Sequence, residues 1–351
     1  MGFCIYYQRQ AYTANDFIKI SSELAWVNQV KLVIACWIHE KPFVFYSSGS
    51  TRDPKAFSFE KWQLEISAQA TIAALNLNSN EHFLLCLNAK FVGGAMMLVR
   101  AIILDCPITI MEPQWGIFSA IEEDHSYTFA SFVPMQLLHS SFSKNKYQKI
   151  KNILIGGTTI PESLVQVLLG QNNKTYHTYG MTETLSHVAL KEINKDLGFR
   201  AILPHQIRIN NDLCICISSP ILEKELVTHD MALALNNGEF KLLGRTDFII
   251  NSGGIKVNPE AIEALISYMI PLPIKKQFAI SSISHPVLGE QVILVLEEEF
   301  DEMGFQDIVL KLQNLGFKND VPRKFRVINS IPLTENGKID RKKLNEYINN
   351  Q

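Results

Sequence analysis

The stretch Leu242-Leu243-Gly244-Arg245-Thr246-Asp247-Phe248-Ile249-Ile250, continued by Asn251-Ser252-Gly253-Gly254-Ile255-Lys256-Val257-Asn258-Pro259-Glu260, decides how the chain is organised. It starts as a strand, breaks at Arg245 and Asp247, and passes through a Gly-Gly turn. Asn258 and Pro259 suit the N-cap and first position of a helix. An Asn side chain can accept from the free N–H groups of the first turn, and proline has no N–H to leave unpaired there. Ile262, Leu265, Ile266 and Met269 then recur at helical spacing. The stretch reads as a hinge between a domain over 1–243 and a domain over 244–351, with the active site between them.

Composition narrows the field. With 351 residues, 47% of them hydrophobic, the chain can bury a large core and suggests two or three domains. A net charge of −2 offers no basic footprint for nucleic acid. Cys4, Cys36, Cys86, Cys106, Cys214 and Cys216 lack zinc spacing and resemble no disulfide framework. Cys214 and Cys216 share one face of an apolar strand and read as core. No basic region followed by an apolar core opens the sequence, so no signal peptide is expected. The most apolar segment, 91–111, is interrupted by Arg100 and Asp105 short of the ~20 residues a bilayer requires. It reads as a buried helix followed by a strand over 107–111. The expectation is a cytoplasmic protein with no membrane span and no nucleic-acid partner.

Upstream of the hinge, residues 14–40 read as helical and 43–46 as a strand. That strand feeds Ser47-Ser48-Gly49-Ser50-Thr51-Arg52-Asp53-Pro54-Lys55, a hydroxyl-rich loop closed by a lysine. Free backbone N–H groups and hydroxyls can surround an anion while Lys55 neutralises it. The loop lacks the Gly-x-x-x-x-Gly-Lys-Ser/Thr spacing, which excludes a P-loop NTPase. A helix over 59–77 and strands at 82–87, 107–111, 127–130 and 151–155 alternate with helices at 91–104 and after Pro134, arguing for a parallel α/β sheet. Ligands of such sheets sit beyond the carboxyl ends of the strands. Gly156-Gly157-Thr158 follows one strand end, as either a site wall or a tight turn. Thr182 and Glu183 follow another, at 175–179, where they can offer a hydroxyl to phosphate and a carboxylate to Mg²⁺, or merely cap a helix. From 201 to 243 the pattern turns to short β segments, a small β-rich subdomain. The 244–351 region alternates helices and strands and ends in a Gly337-Lys338 turn. The fold class is therefore α/β: a large N-terminal domain of α/β sheets with a small β-rich subdomain, then a small α+β C-terminal domain.

Together these segments resemble the adenylate-forming enzyme superfamily of acyl-CoA synthetases, peptide-synthetase adenylation domains and luciferases. Ser47–Lys55 resembles its phosphate loop, Tyr179-Gly-Met-Thr-Glu-Thr184 its Tyr-Gly-x-Thr-Glu motif, Gly244–Glu260 its hinge motif, and Pro332-Leu-Thr-Glu-Asn-Gly-Lys338-Ile-Asp-Arg341 its C-terminal lysine motif. The resemblance implies attack of a carboxylate on the α-phosphate of ATP, then displacement of AMP by a thiol, usually that of coenzyme A. It implies that Ser47, Ser48, Gly49, Ser50, Thr51 and Lys55 surround the β- and γ-phosphates, that Glu183 binds Mg²⁺, and that Thr182 meets the α-phosphate. Tyr179 would stack on adenine, Gly156, Gly157 and Thr158 would line the nucleotide, and Asp230 and Arg245 would bind the ribose. Lys338 would bridge carboxylate and α-phosphate. Rotation about Asp247 would then withdraw it and bring Gly253 and Gly254 towards coenzyme A. Tyr179–Thr184 with Ser186-His187, the Ser-Gly-Gly continuation of the hinge and the small size are most similar to the o-succinylbenzoate–CoA ligases of menaquinone synthesis.

Three departures accompany the likeness. Only 46 residues precede Ser47, so a shortened N-terminal subdomain is expected. Arg52 and Ala56 stand where the family has Gly, and His229-Asp230 replaces an expected Gly-Asp. Two alternatives stay open: another aryl or fatty acid as substrate, or a nucleotide-binding descendant without catalysis. The acyl pocket is the least legible part. Ser186, His187 and Phe132-Val133-Pro134 are its candidates, with His187 or Arg100 to meet a second carboxylate.

Overall fold

A computed structural model describes residues 2–46, 55–123, 125–139, 141–195, 198–269, 277–297, 301–317, 321–334 and 338–350. The phosphate-loop candidates Ser47, Ser48, Gly49, Ser50 and Thr51, with Arg52, lie outside the described residues, as does Gly337.

Alternating apolar runs build the parallel half of a large sheet. Its strands are β1 (Ile5–Tyr7), with β2 (Gln10–Tyr12) as its antiparallel edge partner, then β5 (Phe83–Leu85), β6 (Ile108–Ile110), β7 (Tyr127–Phe132), β8 (Ile150–Ile155) and β9 (Lys174–Met181). They lie in the order β9-β8-β7-β5-β6-β1, each parallel to its neighbour. Their near-continuous burial is what parallel strands covered on both faces require. The ribbon of β3 (Phe43–Tyr46) and β4 (Ala56–Phe59) stands apart from this sheet. The segment around Arg100 is the helix Val92–Leu104 leading into β6, as its charges suggested. Among the described residues no helix is long and apolar enough to cross a membrane.

Beyond β9 the sheet turns antiparallel through β10 (Ser186–Glu192), β11 (Phe199–Ala201), β12 (Gln206–Ile209), β13 (Cys214–Ser218), β14 (Leu226–Ala234) and β15 (Glu239–Arg245). The short β segments expected over 201–243 are present, hydrogen-bonded onto the parallel half through β10 and β11. The helix expected over 14–40 divides into Ala14–Phe17 and Ala25–Ile38.

A second sheet gathers β16 (Ile250–Ser252), β17 (Ile255–Val257), β18 (Phe278–His285), β19 (Gly289–Leu296) and β20 (Lys324–Val327). The helices Pro259–Met269, Glu302–Asn314 and Arg341–Asn349 supply its cores, with Ile262, Ile266 and Leu312 on one face and Leu344 and Ile348 on the other. The helix Pro259–Met269 also packs on β15 and on the helix Glu162–Leu168, so the two sheets meet where the hinge stretch passes between them.

Candidate active site

The parallel strands β8 and β9 end side by side, and their exits form one wall. Gly156 follows β8 and lies so close to β9 that a Cβ there would come within 2.3 Å of Thr178 Oγ1. Gly157 takes φ +91° beside Val133. The Thr158 carbonyl accepts from His177 Nε2 at 3.2 Å. Burial pushes the His177 pKa down to about 4, so the ring is a neutral donor at pH 7. The structure thus unites Gly156, Gly157 and Thr158 with Phe132-Val133-Pro134, since Gly156 N–H donates to the Phe132 carbonyl at 3.1 Å.

Thr182 and Glu183 begin a single 3₁₀ turn, Thr182–Thr184, at the end of β9. Thr184 fixes the turn: its Oγ1 accepts from Met181 N–H at 3.0 Å and lies 2.8 Å from the Ser186 carbonyl. Glu183 is half-buried and makes no hydrogen bond or ion pair among the described residues, so its carboxylate is at liberty. A lone carboxylate of this kind fits Mg²⁺, which takes one or two protein carboxylates and fills its octahedron with waters and phosphate oxygens.

Tyr179 is buried edge-on against Phe199 and Phe240, and its hydroxyl donates to Asp230 Oδ2 at 2.8 Å. Burial, then the Asp230 charge, raises its pKa, which keeps it a neutral donor. Asp230 Oδ1 accepts from Arg245 Nη1 at 2.8 Å, and Arg245 Nε and Nη2 grip both oxygens of Asp247 at 2.8 Å. Burial works against the Arg245 charge, but these carboxylates outweigh it and hold its pKa up. The Asp230–Arg245 pair rests on register, because the two residues face each other across the β14–β15 ladder. His229, which replaces the expected glycine, lies 3.1 Å from Thr246 Oγ1 through its Nδ1 and so braces the same ladder.

Lys338 reaches this cluster from near the end of the chain. Its neighbours in charge are Asp230, Arg245, Glu260 and Glu183. Crowding by protein is the main force lowering its pKa, with Arg245 adding to it, while the carboxylates pull the other way. The residue keeps contact with solvent. Its backbone is set by a bridge between Leu333 and Ile339, and by Lys338 N–H donating to Thr334 Oγ1 at 3.2 Å. Gly253 and Gly254 stand elsewhere, in the β16–β17 turn at φ +61° and +83°, where two successive positive φ values make a tight hairpin that glycine adopts without strain. Lys55 is described at the start of the β4 segment, after the loop that holds the other phosphate candidates.

A family model for AMP-binding enzymes matches residues 19–209. The chain belongs to the AMP-binding enzyme family. Among its relatives, the 2-succinylbenzoate–CoA ligase of Listeria monocytogenes is 24% identical over 329 residues, covering 86% of this chain and 69% of that one. An acyl-CoA synthetase (AMP-forming)/AMP-acid ligase II-like protein of Dyadobacter fermentans has 28% identity and a TM-score of 0.60, covering 93% of this chain and 95% of its own. The o-succinylbenzoate CoA synthetase of Bacillus subtilis, solved with its acyl-adenylate, shares the fold at a TM-score of 0.72 and 19% identity, over 86% and 68% of the two chains. The family resemblance drawn from the motifs is borne out, and so is the α/β fold class.

Several contacts around this cluster were not read from the sequence. Phe248 has the Arg245 and Arg341 guanidinium groups at 5.2 and 5.0 Å from its ring centre. Glu263 pairs with Arg341, and Asn258, which caps the helix Pro259–Met269 as expected from the sequence, also ties the hinge by donating to the Leu243 carbonyl. Phe248, Asn258 and Arg341 stood inside the quoted motifs; Glu263 carried no signal of its own.

Arg100, in the helix Val92–Leu104, is buried completely. Nη2 donates to Ser186 Oγ at 3.1 Å, while Nε has no partner. No carboxylate pairs with it among the described residues. Burial pushes its pKa down to about 9, which leaves the guanidinium charged at pH 7.

Proposed function

We propose that this protein is an ATP-dependent acid–CoA ligase that acts through an acyl-adenylate and then a thioester, with 2-succinylbenzoate as its acid. One observation carries the reading: Lys338, from the part of the chain beyond the hinge, feels the charges of Asp230, Arg245 and Glu183. A mobile point charge there can follow a carboxylate as it closes on the α-phosphate of ATP, which is otherwise opposed by like charge. In the first step a carboxylate oxygen bonds to the α-phosphorus and pyrophosphate leaves. In the second the coenzyme A sulfur bonds to the acyl carbon, its proton is released, and AMP leaves.

The residue roles are those the family likeness implies, with placement in support for the described residues among them. Ser47, Ser48, Gly49, Ser50, Thr51 and Lys55 hold the β- and γ-phosphates. Thr182 meets the α-phosphate, and Gly156, Gly157, Thr158 and Tyr179 line the nucleotide. Asp230 and Arg245 take the ribose; both Asp230 oxygens are engaged, yet a carboxylate has about four acceptor positions, which leaves room for hydroxyls. Glu183 holds Mg²⁺, which neutralises phosphate charge when bound. The part over 244–351 turns about Asp247 between the steps and carries the Gly253-Gly254 turn towards coenzyme A.

The choice of acid is supported by Arg100. An unpaired buried guanidinium costs on the order of several kcal/mol, and a second carboxylate on the substrate would offset that. 2-Succinylbenzoate has one, as the names of the relatives require of their substrate, and such a substrate would place the protein in menaquinone synthesis. With ATP, Mg²⁺ and coenzyme A, 2-succinylbenzoate should release pyrophosphate and AMP faster than any monocarboxylate in a panel of aryl and fatty acids. Turnover of a monocarboxylate alone would overturn the choice of acid. ATP binding by calorimetry with no pyrophosphate from any acid would overturn catalysis and favour a nucleotide-binding descendant.

A further inference from the structure

Behind Arg100 runs a buried chain of polar groups that no step of the reaction uses. Arg100 Nη2 lies 3.1 Å from Ser186 Oγ, Ser186 Oγ lies 3.3 Å from His187 Nδ1, and His187 Nε2 lies 3.0 Å from Thr71 Oγ1. Thr71 Oγ1 ends the chain 3.4 Å from the Ser67 carbonyl. Thr71 and Ser67 sit one turn apart in the helix Lys61–Leu75, and Ser67 Oγ donates to the Leu185 carbonyl at 2.9 Å, pinning the backbone just before Ser186. His187, Thr71, Ser67 and Arg100 are all buried; Ser186 alone reaches the surface.

The direction of every proton follows from the partners. A guanidinium only donates, so Ser186 Oγ accepts from Arg100. The hydroxyl proton of Ser186 then has one acceptor among the described residues, His187 Nδ1. That leaves the ring proton on Nε2, directed at Thr71 Oγ1, whose own proton goes to the Ser67 carbonyl. Burial, and after it the nearby Arg100 charge, disfavours a second proton on His187, in keeping with this arrangement. Ser186 is also held at φ +114°, a backbone conformation that non-glycine residues rarely take and that folds retain chiefly at functional sites.

We propose that His187, with its proton on Nε2, is a positioning residue that fixes the orientation of Arg100 through Ser186, and thereby makes the site select acids with a second carboxylate. The inference rests on the reading of Arg100 as the partner of that carboxylate. Arg100 keeps Nη2 on Ser186 while its buried Nε has no partner, so the guanidinium is held in place before the acid arrives.

The test compares 2-succinylbenzoate with 4-oxo-4-phenylbutyrate, which lacks the ring carboxylate. Ser186→Ala and His187→Leu should each raise KM for the dicarboxylate about tenfold, the double variant no further, and KM for the monocarboxylate less than twofold. His187→Asn, which can present an acceptor to Ser186, should restore most of the loss; His187→Gln, which reaches Thr71 instead, should not. Equal effects on both acids, or equal rescue by Asn and Gln, overturn the relay. Nitrogen-15 NMR of the imidazole, with His187→Gln for assignment, should find Nδ1 bare; a proton on Nδ1 overturns it without reference to turnover. Arg100→Met separates the two readings: an unchanged dicarboxylate KM refutes the role of Arg100, whereas a raised KM with indifferent Ser186 and His187 variants refutes the relay alone.

Discussion

Arg341 and Glu263 form a two-pronged ion pair, at 2.7 Å through Nη2 and 3.1 Å through Nη1. Both side chains are mostly shielded, and the Arg341 guanidinium also covers the Phe248 ring and donates to the Ile280 carbonyl at 3.2 Å. Glu263 is therefore the strut that locates the segment just after Lys338. Removing it as Glu263→Ala leaves a shielded guanidinium unpaired, at a cost of about 2 kcal/mol in folding stability. The larger consequence falls on adenylation, which should drop about tenfold as Lys338 loses its placement. Pyrophosphate exchange measures that step, and thioester formation from preformed adenylate measures the other; an equal fall in both would remove Glu263 from the positioning of Lys338.

Lys338 should also impose an alkaline limit on adenylation. Below its pKa the ammonium is present and can accompany the carboxylate; above it the charge is gone. Crowding by protein, helped by Arg245, sets that pKa below the ordinary lysine value, so the falling limb comes earlier than a free lysine would give. Single-turnover adenylation against pH reads it directly. Lys338→Arg keeps the charge across the accessible range and should abolish the limb even where it slows the step. A limb that survives in Lys338→Arg belongs to another group.

What the sequence made legible was periodic or local. The parallel strands announce themselves as apolar runs, the cap at Asn258-Pro259 is an interaction within one turn, and the Gly253-Gly254 turn needs only its own two residues. The missed pieces depend on partners far along the chain. β1 becomes a strand by pairing with β6 and is not marked by its own pattern. Tyr179 resembled an adenine platform by motif, while its hydroxyl bond to Asp230 depends on the register of β14. Arg100 and His187 were legible as candidates, but their burial and the Ser186 link between them are set by the fold.

Gly180 should tolerate no side chain. It faces His187 across the β9–β10 ladder, and a Cβ there would meet the Ser186 carbonyl oxygen at 2.1 Å and His187 Cα at 2.4 Å. Both are backbone atoms that cannot swing aside, so the strands themselves must part. Gly180→Ala is expected to cost about 3 kcal/mol, seen as a lower midpoint in urea. The same shift moves Thr182 and Glu183, so residual folded protein should also lose adenylation more than nucleotide binding.

Glu260 offers a stability change with a defined sign. Its Oε2 is sealed from water with no hydrogen-bond partner, and burial, against the pull of Arg341, raises its pKa above the ordinary glutamate value. In the window between the unfolded and folded pKa the native state holds more protons than the unfolded chain, so stability falls as pH rises through it. The stabilising margin is complete below the unfolded pKa and has been lost once pH passes the folded one. Glu260→Gln keeps the shape without the charge, and should make the protein more stable than the parent at pH 7 and no different at pH 4. Urea unfolding at the two pH values decides it. A variant less stable at pH 7 would mean that the ionised carboxylate is held by Arg341 and Lys338 as a net favourable partner.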